Sequence, residues 1–166
     1  MTGIEKTVAR DEIRQLACRY AHATDMRDLD MLVGCFVPNV QVGRDTFGRD
    51  ALRANFEEQL RGIGISILFV GNHLVDFDDE THAHGHVYCR AEIQDDERWI
   101  RQAIRYDDTY EKVGGEWLFV RRRHLLFYGA EPGQNPLSLP QANWPENHSG
   151  RGTLPESQES WQKFWK

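Results

Sequence analysis

Two periodicities divide the chain. Across "RDEIRQLACRYAHATD", Ile13, Leu16, Ala17, Tyr20 and Ala21 recur at the i, i+3, i+4 spacing of one helix face, with Asp11 placed to cap it. "DLDMLVGCFVPNV" predicts a second helix, opened by Asp28 and stopped by Pro38. After a short strand-like "VQVG", the run "GRDALRANFEEQLRGIG" puts Leu52, Phe56 and Leu60 on one side and ends at Gly62. From Ile65 the period changes to two. Long strands are expected at 66–77, 82–94 and 98–113, and the turn "KVGGEW" leads into a fourth at 116–128. Helices followed by a meander of long antiparallel strands predict an α+β fold, with the helices packed on one face of a curved sheet.

This pattern fills residues 1–128. Residues 129–166 are rich in Pro, Gly and Asn and read as a C-terminal extension. Trp144, Trp161, Phe164 and Trp165 are poor residues to leave in water, so the extension is expected to pack on the body or on a neighbouring subunit, ending in a short helix-like aromatic piece. The net charge of -6 argues against a nucleic-acid groove. The triplet Arg121-Arg122-Arg123 lies in a strand-like run, where Arg122 points away from its neighbours and no basic patch results. Three cysteines without CxxC spacing fit a reducing cytoplasm better than a disulfide framework. The N-terminal "MTGIEKTVARDE" has no apolar signal core and no window approaches a membrane span, so a cytoplasmic protein with no membrane partner is expected.

The candidate chemistry is sparse. In "FVGNHLVDF", His73 shares its parity with Phe69, Gly71, Val75 and Phe77 and so points toward the covered side of a sheet. Such a histidine is either a core group bonded to a backbone carbonyl or a working imidazole. Tyr20 and Asp25 are five apart, about 140° round a continuous helix, and converge only if that helix breaks near Thr24. Taken alone, Tyr20 fits a core aromatic and Asp25 a loop residue or cap. His82, His84 and His86 alternate on the side opposite Ala83, Gly85, Val87 and Cys89, which is a solvent or interface placement; no metal site is expected. On the third strand Arg101, Ala103, Arg105, Asp107 and Thr109 have one parity, and Ile104, Tyr106, Asp108 and Tyr110 the other; either set could line a pocket. Phosphate loop, dinucleotide fingerprint, nucleophile elbow and zinc pair are all missing from the sequence, pointing to chemistry without a nucleotide cofactor.

The order "RYAHATDMRDLDML", "FVPNV", "GRDALRANF", "GNHLVDF" and "YDDTYEKVGGEW" resembles the SnoaL-like branch of the nuclear transport factor 2-like superfamily over about residues 8–128. It is similar in particular to the scytalone dehydratase, bile-acid 7α-dehydratase and hexachlorocyclohexane dehydrochlorinase group. The resemblance implies a cone-shaped fold with a deep apolar pocket. It implies a catalytic His73, a pocket Asp25 meeting it there, and Tyr20 as hydrogen-bond donor, with an arginine of the third strand, Arg101 or Arg105, supporting developing negative charge. Arg101 and Ala103 stand where scytalone dehydratase has a second histidine. The implied function is a lyase of dehydratase type, working without a cofactor on a small hydrophobic cyclic or aromatic substrate. Isomerase, cyclase or dehydrohalogenase chemistry, or a non-catalytic binding or assembly module, are the rivals. A homo-oligomer is expected, a trimer ahead of a dimer.

Overall fold

The computed structural model describes residues 1–153, except the side chain of Pro136; the expected aromatic piece at Trp161, Phe164 and Trp165 lies outside the described residues. Helix α1 spans Gly3–Met26, longer at its start than the apolar spacing suggests. Its cap is Thr2, not Asp11. The Thr2 hydroxyl accepts from the Glu5 backbone and the Glu5 carboxylate accepts from the Thr2 backbone, a capping box that satisfies two orphan donors at once. Helix α2, Leu29–Gly34, opens on Asp28, whose carboxylate accepts from Met31 N at 2.9 Å. Helix α3 runs Arg49–Arg61 and ends at Gly62. The "VQVG" run makes only an isolated bridge, Gln41 to Phe47.

Strands β1 (Ser66–Phe77), β2 (His82–Asp95), β3 (Arg98–Val113) and β4 (Glu116–Ala130) follow, with a two-residue β5, Gly150–Arg151. They form one antiparallel sheet in sequence order, so every neighbour in space is a neighbour in the chain. The β3–β4 turn places Gly114 and Gly115 at φ 60° and 93°, which a side chain would resist.

One irregularity decides where β1 points. Gly71 pairs with Tyr88, but the next pair is Leu74 with His86, so β1 carries one extra residue. Asn72 absorbs it at φ 48°, a conformation asparagine tolerates. The bulge reverses the side-chain alternation. Before it, Ser66 is buried and Leu68 half-buried; after it, His73 and Val75 face in. Phe69 was expected beside His73, but is 67% exposed on the outer face. A strict period of two cannot survive an inserted residue.

The inner face packs as two clusters. Ile13 and Leu16 of α1 meet Phe36, Tyr110, Trp117 and Phe119 in one. Val87, Cys89 and Ala91 of β2 meet Ile104, Tyr106 and Leu126 in the other, with Trp144 packed against it. The chain reaches Trp144 by turning back after β4. Gly129 pairs with Gly150, and a Cβ on Gly129 would lie 2.0 Å from the His148 carbonyl, so only glycine lets this segment cross so closely.

Candidate active site

A chamber of about 450 Å³ opens beside the second cluster; its walls include Tyr20, Leu68, Ile104, Tyr106, His124 and Trp144. Tyr20 comes from the inner face of α1, where its ring meets Phe36, Phe56, Tyr106 and Phe119 at centroid distances of 6.0–6.2 Å. Burial raises its pKa, so near neutral pH the phenol keeps its proton and can donate it. Its hydroxyl makes no hydrogen bond among the described residues.

His124 is one of two imidazoles on the chamber wall, with His148; Glu58 and Glu146 also line it. His124 sits on β4, where Arg122, His124 and Leu126 alternate inward, and its ring lies 4.3 Å from Trp144 and 5.4 Å from Tyr106. Burial, then the nearby Arg122 charge, pull its pKa from 6.5 to about 4, so it is neutral at pH 7. Among the described residues it has no hydrogen-bond partner, and its Nε2 is enclosed. Gln102, on the same wall, donates Nε2 to the His148 carbonyl at 3.0 Å and leaves Oε1 enclosed and unpaired. The histidine is legible in "RRRHLLF", since it shares the inward alternation of Arg122 and Leu126.

His73 belongs to a different constellation. Its Nε2 lies 2.9 Å from the Tyr110 hydroxyl, which donates to Asp108 Oδ2 at 2.9 Å. Arg122 clamps the same carboxylate, Nε to Oδ1 at 2.9 Å and Nη2 to Oδ2 at 2.7 Å. A carboxylate so held only accepts, so the single Tyr110 proton goes to Asp108 and the Tyr110 oxygen must accept from His73 Nε2–H. Nδ1 therefore carries the free lone pair. Burial, opposed by Asp108, lowers the His73 pKa to about 4. The Arg122 side chain is 3% exposed and that of Asp108 fully buried, and the guanidinium carbon lies 4.4, 4.2 and 4.2 Å from the ring centres of Tyr20, Tyr106 and Phe119. This pair separates the His73 constellation from the chamber.

The expected Asp25–His73 pair does not form. Helix α1 runs unbroken through Met26, so Asp25 stays in its last turn rather than in a loop, and Tyr20 and Asp25 do not converge. Both Asp25 oxygens are engaged: Oδ1 accepts from Ser66 Oγ at 3.1 Å and Oδ2 from Leu68 N at 3.0 Å. Arg27 adds bonds to Ser66 Oγ and to the Thr24 and Gly64 carbonyls, pinning the end of α1 to the start of β1. Arg101 and Arg105 carry the outward parity of β3. Arg101 is exposed and faces Glu92 at 3.3 Å, while Arg105 pairs with Asp107 at 2.9 Å; neither lines the chamber. His82, His84 and His86 are exposed, each within hydrogen-bond reach of Asp79, Asp78 and Asp107 respectively.

The fold and its apolar chamber define a class. Residues 5–123 match the model of the SnoaL-like domain, and the chain belongs to that family. The curved sheet with its N-terminal helices is the nuclear transport factor 2-like fold. Among solved structures, a scytalone dehydratase-like protein of Novosphingobium aromaticivorans is 22% identical, with a TM-score of 0.68 over 81% of this chain and 94% of that one. LinA is 17% identical, with a TM-score of 0.71 over 81% and 97%. The hexachlorocyclohexane dehydrochlorinase LinA-type3 of Novosphingobium barchaimii is 15% identical, with a TM-score of 0.70 over 81% and 97%. At these identities the likeness establishes the fold. No curated protein matches the chain. Among the described residues, no helix is long and apolar enough to cross a membrane.

Proposed function

We propose that the protein is a lyase of dehydratase type that works without a cofactor on a small hydrophobic cyclic substrate seated in the chamber. The observation that carries this reading is the pairing of a protonated phenol, Tyr20, with a neutral imidazole, His124, on the walls of one apolar cavity. The names of the similar structures, a scytalone dehydratase-like protein and a dehydrochlorinase, support elimination as the reaction type.

For a β-hydroxy ketone, Tyr20 donates a hydrogen bond to the carbonyl oxygen and stabilises the enolate. His124, whose Nε2 is enclosed, takes the proton from the carbon next to the carbonyl on Nδ1. The electron pair released forms the C=C bond as the C–O bond breaks, and the departing hydroxide receives the proton from the imidazolium. An imidazole whose protonated form is a strong acid in this setting suits that second transfer. Products are an enone and water, and the histidine returns to its starting state. Asp25 is a positioning residue: it touches no substrate but fixes Ser66 and Leu68, both on the chamber wall.

The test is to incubate the protein with a panel of cyclic β-hydroxy ketones and follow enone formation by ultraviolet absorbance and product mass. Loss of water catalysed by the protein, and abolished in Tyr20→Phe, is the expected result. Products of unchanged mass would instead identify an isomerase; no turnover with tight binding would identify a carrier. Self-association is proposed alongside, supported by the outward Ile67, Phe69 and Leu74 of the edge strand β1, and is measured by light scattering.

A further inference from the structure

A second cavity lies apart from the chamber and shares none of its lining residues. It is an open cleft of about 790 Å³ along the β1 bulge, bounded by Arg14 and Cys18 of α1, by His73, and by His86, Tyr88 and Arg105 of β2 and β3. The dehydration chemistry above uses none of these groups.

The cleft's charge runs against that of the molecule. The chain as a whole carries -6, yet two arginines line the cleft and, among the described residues, no Asp or Glu does. Arg105 is already paired with Asp107. Arg14 is exposed and has no carboxylate partner among the described residues. A free guanidinium presents a planar fork of donors that matches a carboxylate.

His73 supplies the complementary feature. Its Nε2–H is committed to Tyr110, so the ring cannot turn without losing that bond, and Nδ1 is left as an acceptor with no partner among the described residues. Arg14 is close enough for its charge to act on the His73 ring. Ala17, Val70 and Val87 add apolar wall to the same cleft.

We propose that this cleft is a second ligand site, taking a small 2-hydroxy carboxylate with an apolar substituent. The carboxylate lies on Arg14, the hydroxyl donates to His73 Nδ1, and the apolar group covers Val70. A simple anion would satisfy the arginine but leave the histidine lone pair unused; a neutral alcohol would do the reverse. Tyr110 and Asp108 act behind His73 as positioning residues that hold its tautomer.

The experiment uses mandelate as probe and the full-length protein labelled with ¹⁵N-histidine, reading the His73 and His124 ring signals by NMR. The expected result is that mandelate moves the His73 Nδ1 signal and leaves His124 in place. Losing one charge-assisted contact is worth a factor of roughly ten or more, so Arg14→Gln, phenylacetate (no hydroxyl) and methyl mandelate (no charge) should each bind at least that much more weakly or not at all. Arg14 is exposed, so its replacement leaves the fold intact. The proposal is overturned if mandelate leaves His73 unmoved, if it shifts His124 instead, or if methyl mandelate binds as well as mandelate. His124→Leu should leave mandelate binding unchanged, which keeps this result separate from the fate of the dehydratase reading.

Discussion

His73 and His124 are alike in one respect and opposed in the rest. Burial brings both imidazoles to a pKa of about 4, so both are neutral at pH 7. His73 is built into the protein: Tyr110, Asp108 and Arg122 follow it in an unbroken series of hydrogen bonds. Among the described residues His124 has no such support, and its ring neighbours are Trp144 and Tyr106. A neutral histidine alone does not mark a reacting centre; the cavity it faces and the groups it can share with a substrate do. Arg122 touches both regions, bonding Asp108 on one side and stacking on Tyr20 and Tyr106 on the other.

That shared arginine gives the largest expected effect. Arg122→Met leaves Asp108 charged and buried without its partner, and breaking such a pair costs about 3–5 kcal/mol. Urea unfolding should show a loss of this size, together with damage to both regions. A loss well under ~1 kcal/mol, as for an exposed pair, would mean the two histidines are not tied to one core.

Asp25→Ala should cost about 1–3 kcal/mol, because the Leu68 amide and the Ser66 hydroxyl lose an acceptor. Turnover should fall through a displaced chamber wall, and Asp25→Asn, which keeps a carbonyl oxygen, should restore part of the stability. Next comes Tyr110→Phe, at about 1–2 kcal/mol. It frees the His73 tautomer while leaving His124 untouched, and separate ¹⁵N signals for the two rings show whether the regions respond independently.

Acidity tests both rings at once. Each imidazole binds its proton less readily in the folded chain, at about 4, than in the unfolded chain, at 6.5. Between those values the unfolded state holds more protons, so the stability these groups contribute is full above pH 6.5 and is lost as pH falls through about 4. Urea midpoints should drop over that window, and His73→Gln and His124→Gln should each flatten the decline. An unchanged slope in both variants would show that neither ring is held neutral by burial.

Much of the architecture could be read from spacing. The bounds of β1 and β3 agree with the expected runs and β2 ends one residue later than expected; in β2 an uninterrupted alternation leaves few other ways to bury Val87, Cys89 and Ala91 together. The start of α1 was missed because Thr2 and Glu5 form a cap outside the apolar repeat. The site was less legible. Phe69 was misplaced because a bulge leaves no mark in a hydrophobic pattern beyond an Asn that tolerates positive φ. The Asp25–His73 pairing failed for a related reason: resemblance supplied the residue types, while the local hydrogen bonds of Ser66, Leu68 and Tyr110 decided where each side chain was spent. Asp108 and Arg122 were a buried pair in plain view on adjacent strands, but pairing across a turn with its own bulge hid the register.

The most direct test of the chamber as reacting centre is to compare His124→Ala with His73→Ala on the best cyclic β-hydroxy ketone. Removing a general acid–base group costs about 10²–10⁴ in rate, and that loss in kcat is expected for His124→Ala, with His73→Ala staying within roughly tenfold of the unmodified protein. The reverse order, with His73 essential and His124 dispensable, would contradict the assignment and move the chemistry to the β1 cleft.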